Sequence, residues 1–203
     1  MAIGNFLYFG DSVMGQAPTD GYIHHLANWI YSQDQASRHH FLNIGGNGSK
    51  DILERIVYAI PPRTKSGNIR MIVVSIGIVD SSFFREGEET RAENTLKGYS
   101  ANMQGIFDIS RKYTSSIVVP GLTRINDLLK QPLSPSGRLY DNSRIEEFDS
   151  ELRRVCELNN GTYVPIHDVL LPEDFVDGLH PNSSGHFKIF GRIVESGRIK
   201  IGA

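Results

Sequence analysis

An α/β fold built on a parallel sheet is what this sequence predicts, and three observations predict it. Short segments rich in β-branched and aromatic residues recur along the chain. They are apolar throughout, as strands covered on both faces are. Between them lie segments whose apolar residues repeat at helical spacing, so the elements alternate β-α-β. Five strands are expected, at Ile3 to Phe9, Phe41 to Ile44, Arg70 to Ile76, Ser115 to Val119 and Thr162 to Ile166. Tyr22, Ile23, Leu26, Ala27 and Ile30 mark the first helix, and Ile52, Leu53, Ile56, Val57 and Ile60 the second, which the breaker Pro61-Pro62 ends. Leu96, Tyr99, Met103, Ile106 and Phe107 mark a third. Ile145, Phe148, Leu152 and Val155 mark a fourth, started by a capping-box pattern of Ser143 with Glu146. A last helix is expected from about Ser183 to Ile199, with Phe190, Ile193 and Val194 inward. Right-handed crossovers then place helices on both sides of the sheet, and the site at the carboxyl ends of the strands.

Composition narrows the function. The 203 residues are 39% apolar and 22% charged, enough to bury a full core in one domain spanning 1–203. No repeat or domain linker is evident, and Pro120 to Asn142 is the longest irregular stretch, expected at the edge of the site. Lys and Arg number 21 against 23 Asp and Glu, with no long run of either sign, so neither nucleic acid nor an anionic membrane is an expected partner. No window is long and apolar enough to span a bilayer, and the first ten residues lack the features of a signal peptide. A cytoplasmic location is the expectation. The one cysteine, Cys156, falls on the inner stripe of the fourth helix and reads as a packed residue.

Two short segments carry the chemistry. Near the start, Phe9-Gly10-Asp11-Ser12 puts a serine on a sharp turn directly after an apolar strand. Far downstream, Asp177-Gly178-Leu179-His180-Pro181-Asn182 carries an aspartate and a histidine. Together they supply a nucleophile, a base and an orienting carboxylate. Gly-Asp-Ser alone is a common turn, and Asp-Gly-Leu-His could simply lead into a helix capped by Asn182 or Ser183; it is the combination that points to a serine hydrolase. Gly45-Gly46-Asn47-Gly48-Ser49-Lys50 lacks the residue order of a phosphate loop. The adjacent pairs His24-His25 and His39-His40 point in different directions, which is poor metal-ligand geometry, and no metal site is expected.

These residues resemble the SGNH, or GDSL-type, hydrolases, and the resemblance spans nearly the whole chain in the right order. It implies a flavodoxin-like three-layer α/β/α sandwich with a five-stranded parallel sheet. It also implies that Ser12 is the nucleophile, His180 the base and Asp177 its partner. Asn43-Ile44-Gly45-Gly46-Asn47-Gly48 matches the family's second block, which implies that the amide of Gly48 joins that of Ser12 in the oxyanion hole. The third block, Gly-x-Asn-Asp, is matched by Gly77-Ile78-Val79-Asp80 with a valine where the family's asparagine donates a side-chain hydrogen bond. Losing one such donor costs roughly 10² to 10³ in rate. Ser81, Ser82 and Arg85 follow at once and are candidate substitutes, so Val79, Asp80, Ser81, Ser82 and Arg85 are the expected substrate-side residues.

The implied activity is a serine esterase acting through an acyl-enzyme, with no metal or organic cofactor. A small acyl group such as acetyl, on a sugar or glycan, is preferred because the chain has no large inserted lid. Two alternatives stand beside it: transfer of the acyl group to another alcohol, and a non-catalytic carbohydrate-binding or scaffold protein that lost competence at Val79.

Overall fold

The computed structural model describes residues 3–15, 21–86, 89–133 and 136–199. Five parallel strands form one sheet: β1 (Gly4–Gly10), β2 (Ser37–Phe41), β3 (Asn68–Ser75), β6 (Ile117–Pro120) and β7 (Thr162–Val164), in the spatial order β2-β1-β3-β6-β7. β4 (Phe83–Glu86) and β5 (Glu89–Ala92) form a separate antiparallel hairpin. The helices are α1 (Tyr22–Gln33), α2 (Ser49–Ala59), the single turn α3 (Pro61–Thr64), α4 (Leu96–Ser110), α5 (Asn142–Leu158) and α6 (Ser183–Glu195).

Side-chain alternation explains the layers. β1 is buried along its whole length. Its Leu7 and Phe9, with Ile72 and Val74 of β3, pack against Ile52 and Ile56 of α2, Met103 of α4 and Leu152 of α5. The intervening Phe6 and Tyr8, with Met71 and Val73, pack against Tyr22 and Leu26 of α1 and Ile189 of α6. Strands with two covered faces must be apolar at every position, which is why they read as continuous apolar runs. The flavodoxin-like three-layer sandwich is therefore as expected. In this strand order the chain winds one way from β1 to β2 and the other way from β1 to β3. The crevice beyond the carboxyl ends of β1 and β3 is the topological switch point.

Four differences from expectation have physical causes. β2 begins four residues early and spans Ser37–Phe41. It is an edge strand only half covered, and two histidines fill its interior positions. His39 stacks on Phe6 at 5.2 Å between centroids and its Nδ1 bonds the Tyr8 hydroxyl at 2.8 Å, while His40 Nε2 bonds Asn5 Oδ1 at 2.9 Å. The expected stretch still pairs, because Leu42 N donates to Tyr8 O and Ile44 N to Gly10 O. The β4–β5 hairpin is exposed and short, so it carries no apolar run to betray it. The cap of α5 is Asp141, which accepts from Arg144 N at 3.0 Å and from the Ser143 hydroxyl at 2.7 Å, so the helix starts at Asn142 rather than at a Ser143 box. α6 ends at Glu195, ahead of Gly197 at φ +61°.

Cys156 is fully buried in the α5 core, and burial pushes its thiol up to about 12. Among the described residues, no helix is long and apolar enough to cross a membrane.

Candidate active site

Ser12 leaves the sheet on a turn that its neighbours hold. A Cβ on Gly10 would lie 2.6 Å from the carbonyl oxygen of Ser75, so only glycine fits where β1 passes the end of β3. Asp11 then turns inward. Its Oδ1 accepts the Val13 amide at 2.9 Å, an Asx turn that leaves Ser12 facing outward. Burial raises the Asp11 carboxyl to about 7, against the opposing Val13 amide and with help from the negative charge of Asp80.

The segment before α6 brings the other two groups. A Phe175–Pro181 bridge, with Val176 N donating to His180 O at 2.9 Å, closes a tight loop over residues 176–180. Inside it, Asp177 Oδ1 accepts the amides of Leu179 at 3.0 Å and His180 at 2.8 Å. Its other oxygen lies 2.7 Å from His180 Nδ1, and His180 Nε2 lies 2.9 Å from Ser12 Oγ. An Nδ1–H that donates a hydrogen bond to the carboxylate leaves Nε2 as the acceptor for the serine proton. Burial works to raise the Asp177 carboxyl, but the bonds from the His180 amide and ring and the Leu179 amide outweigh it and hold the group below its usual range. It stays ionised beside the imidazole. Asn182, at the end of the loop, caps α6 by accepting from Gly185 N at 3.0 Å.

These groups open into a cleft of about 190 Å³ at the switch point. Ser12, His180, Gly45 and Gly46 line it. Ile78, Val79 and Leu179 supply apolar surface. The remaining wall is Ser136, Arg138 and Tyr140, from the irregular stretch expected at the site edge.

The structure redistributes the other expected residues. Val79 lines the cleft and is 4% exposed, at the end of a turn that Gly77 makes at φ +137°, a conformation other residues rarely adopt. Asp80 points away from the cleft. It accepts Ser49 N at 2.8 Å, the Ser49 hydroxyl at 2.6 Å and Asn94 Nδ2 at 2.8 Å, tying the start of α2 to the turn after β3. Burial raises its carboxyl while those donors oppose the shift.

Ser81 and Ser82 are not substitute donors: both are fully buried, and their hydroxyls donate to Ile78 O at 2.8 Å and Val79 O at 2.7 Å. Arg85 is exposed on β4 and does not line the cleft. The Gly48 amide is also engaged elsewhere, donating to Asp51 Oδ2 at 2.7 Å in a capping interaction of α2. Gly45 and Gly46 line the cleft in its place, and no hydrogen bond from their amides is found among the described residues.

Arg138 was not singled out by the sequence. Only its place in the loop marks it: a β-bridge pairs Leu139 with Phe83, so alternate residues 136, 138 and 140 share the face that lines the cleft. Among the described residues, no cluster of three or more His, Cys, Asp or Glu side chains could hold a metal ion.

The sheet order, together with a serine, histidine and aspartate hydrogen-bonded in series at the switch point, defines the class: an α/β protein carrying the groups of a serine hydrolase. Solved structures share the fold. The acetylxylan esterase Axe2 of Geobacillus stearothermophilus superposes with a TM-score of 0.72 at 16% identity, over 100% of this chain and 99% of that one. LAE5, an alpha/beta hydrolase enzyme from the metagenome of Lake Arreo, gives 0.73 at 15% identity over 98% and 96%. A putative GDSL-like lipase of Parabacteroides merdae gives 0.72 at 18% identity over 95% and 94%. No curated protein matches the sequence. The profile of the GDSL-like lipase/acylhydrolase family matches residues 8–187, and the chain belongs to that family of carboxylic ester hydrolases.

Proposed function

We propose that this chain is a serine esterase that hydrolyses a small acyl ester through an acyl-enzyme. The observation that carries the proposal is the unbroken series Asp177 Oδ2, His180 Nδ1, His180 Nε2, Ser12 Oγ, with links of 2.7 and 2.9 Å. His180 takes the serine proton as Ser12 Oγ attacks the ester carbonyl. The tetrahedral oxyanion is held by backbone amides, for which Ser12 and the Gly45–Gly46 turn are the available donors. Collapse breaks the ester C–O bond, and the departing alcohol takes the proton from His180. Water then gives a proton to His180 and attacks the acyl-serine. The acid leaves, and Ser12 recovers its proton.

The size of the cleft supports a short acyl group. Pockets for drug-sized ligands are about 300 to 1,000 Å³, and this one is about 190 Å³ with Ile78, Val79 and Leu179 beside the serine. A short acyl group such as acetyl fits such a cleft. A sugar or glycan alcohol agrees with the likeness to an acetylxylan esterase, which by itself concerns the fold. The described elements are taken as one domain, and a lone buried cysteine suits a reducing, cytoplasmic setting. Hydrolysis of p-nitrophenyl acetate tests the proposal. Turnover by the native protein that disappears in Ser12→Ala supports it, and equal turnover by both would refute it.

A further inference from the structure

We infer that Arg138 is a specificity-determining residue that selects an ester bearing a carboxylate close to the scissile bond. The inference rests on the esterase reading of the same cleft. Among the described residues lining that cleft, Arg138 is the one Lys or Arg and no Asp or Glu is present, so its other walls are apolar or neutral apart from His180. The Arg138 side chain is only 18% exposed. Among the described residues its buried Nε has no hydrogen-bond partner, and its ion pair with Glu93 is a loose one, with Oε2 3.7 Å from Nε. A buried N–H left without an acceptor is costly unless a ligand completes its bonding.

The surroundings hold this cation in place. Its Cζ lies 5.1 Å from the centroid of the Phe84 ring, a cation–π contact that helps to hold the guanidinium. Phe83 and Leu139 exchange backbone hydrogen bonds of 2.9 Å in both directions, so the β4–β5 hairpin clamps the loop that carries Arg138. That clamp turns residues 138 and 140 to the same face, toward the cleft. A planar fork of donors held rigidly against an aromatic ring is suited to a carboxylate, which it meets with two parallel bonds. The acyl carbonyl beside Ser12 and the carboxylate at Arg138 would share a cleft of about 190 Å³, which limits the carboxylate to a few bonds from the ester.

That carboxylate can belong to either half of the ester. It can end a dicarboxylic hemiester, or sit on the alcohol, as in an acetylated uronic acid. Matched pairs separate the two sources. For the acyl half, kcat/KM of the p-nitrophenyl hemiester of succinic acid is compared with that of p-nitrophenyl butyrate. For the alcohol half, 4-acetoxybenzoate is compared with its methyl ester.

In one arm the native protein should favour the anion. Arg138→Gln should lower that anionic-to-neutral ratio about ten- to a hundredfold, the size of a charged hydrogen-bonded contact. Arg138→Lys should retain part of the ratio, since charge remains and the fork is lost. A native ratio of one or less in both arms would overturn the inference. So would an unchanged ratio in Arg138→Gln, as when both esters slow together because Arg138 serves the oxyanion or the loop.

Binding to Ser12→Ala, followed by calorimetry with succinate and 4-hydroxybenzoate, tests Arg138 without catalysis. Binding that weakens with salt and vanishes in Ser12→Ala/Arg138→Gln supports the inference even if no ester is turned over. Absence of binding by both acids in Ser12→Ala would count against it.

Discussion

The Ser12–His180 pair and Arg138, which line one cleft, are positioned in opposite ways. Around Ser12 and His180, each functional side chain is set by hydrogen bonds within a few residues of itself: Asp11 orders its own turn, and Asp177 orders the loop that ends in His180. Around Arg138, nothing is local. Arg138 depends on Phe84 and on the Phe83–Leu139 pairing across more than fifty positions of sequence, on two elements outside the central sheet. Local order makes a site that tolerates drift in its surroundings. Assembly from distant segments lets specificity change while the chemistry stays.

Breaking the Ser12–His180 pair should have the largest effect. Ser12→Ala and His180→Ala should each lower esterase kcat by about 10³-fold or more, and the double variant should be little worse than either single one, because the two groups act as a unit. Additive losses in kinetic assays would mean that they act separately. Asp177→Asn should come next, with a loss of about 10² to 10⁴, since an amide neither supports the imidazolium nor holds the tautomer. In an Asp11→Asn background, which removes the other carboxyl that titrates beside the site, the acid limb of kcat/KM should show no step from Asp177, because its carboxyl is held below the usual carboxylate range. A limb steeper than one proton would contradict this.

Val79 lines the same cleft as Ser12 and Arg138. Its side chain lines the cleft, and Ser81 and Ser82 spend their hydroxyls on backbone carbonyls. Val79→Asn should therefore raise acetyl-ester turnover, by at most about 10² to 10³. The gain depends on the amide finding its bonds, since an unsatisfied one costs about 1 to 3 kcal/mol, so Tm is measured alongside rate. Unchanged or lower turnover in a normally folded variant would mean that the hole is already complete.

The smallest effect is on stability. Asp11 is buried, and its carboxyl is raised from 3.8 to about 7 in the folded chain. The stability tied to its proton is complete below the unfolded value and is lost as pH rises through about 7. Asp11→Asn keeps an acceptor for the Val13 amide and removes the titration. Its Tm relative to the native protein should climb between pH 4 and pH 8, and a pH-independent difference would show that Asp11 does not titrate as described.

The same contrast decides what was legible in the sequence. β1, β3 and the helices were readable because burial on two faces leaves an uninterrupted apolar or periodic pattern. Ser12, Asp177 and His180 were readable because locally ordered turns need particular residues in a fixed order, such as the glycine pinned at position 10 against Ser75. β2 was misplaced because His39 and His40 do the packing that a strand usually gives to aliphatic side chains. Arg138 and the hairpin were invisible, since no local spacing records that residue 139 pairs with residue 83. The oxyanion reading at Gly48 meets a competitor for a related reason: a motif fixes the glycine but not the partner of its amide, and here Asp51 accepts from that amide.

The central claim is that Ser12 is a nucleophile activated by His180. Reaction with a fluorophosphonate probe, followed by intact mass and peptide mapping, tests it most directly. The account predicts one adduct, on Ser12, absent in Ser12→Ala and formed far more slowly in His180→Ala. An unlabelled native protein, or an adduct on any other residue, would contradict it.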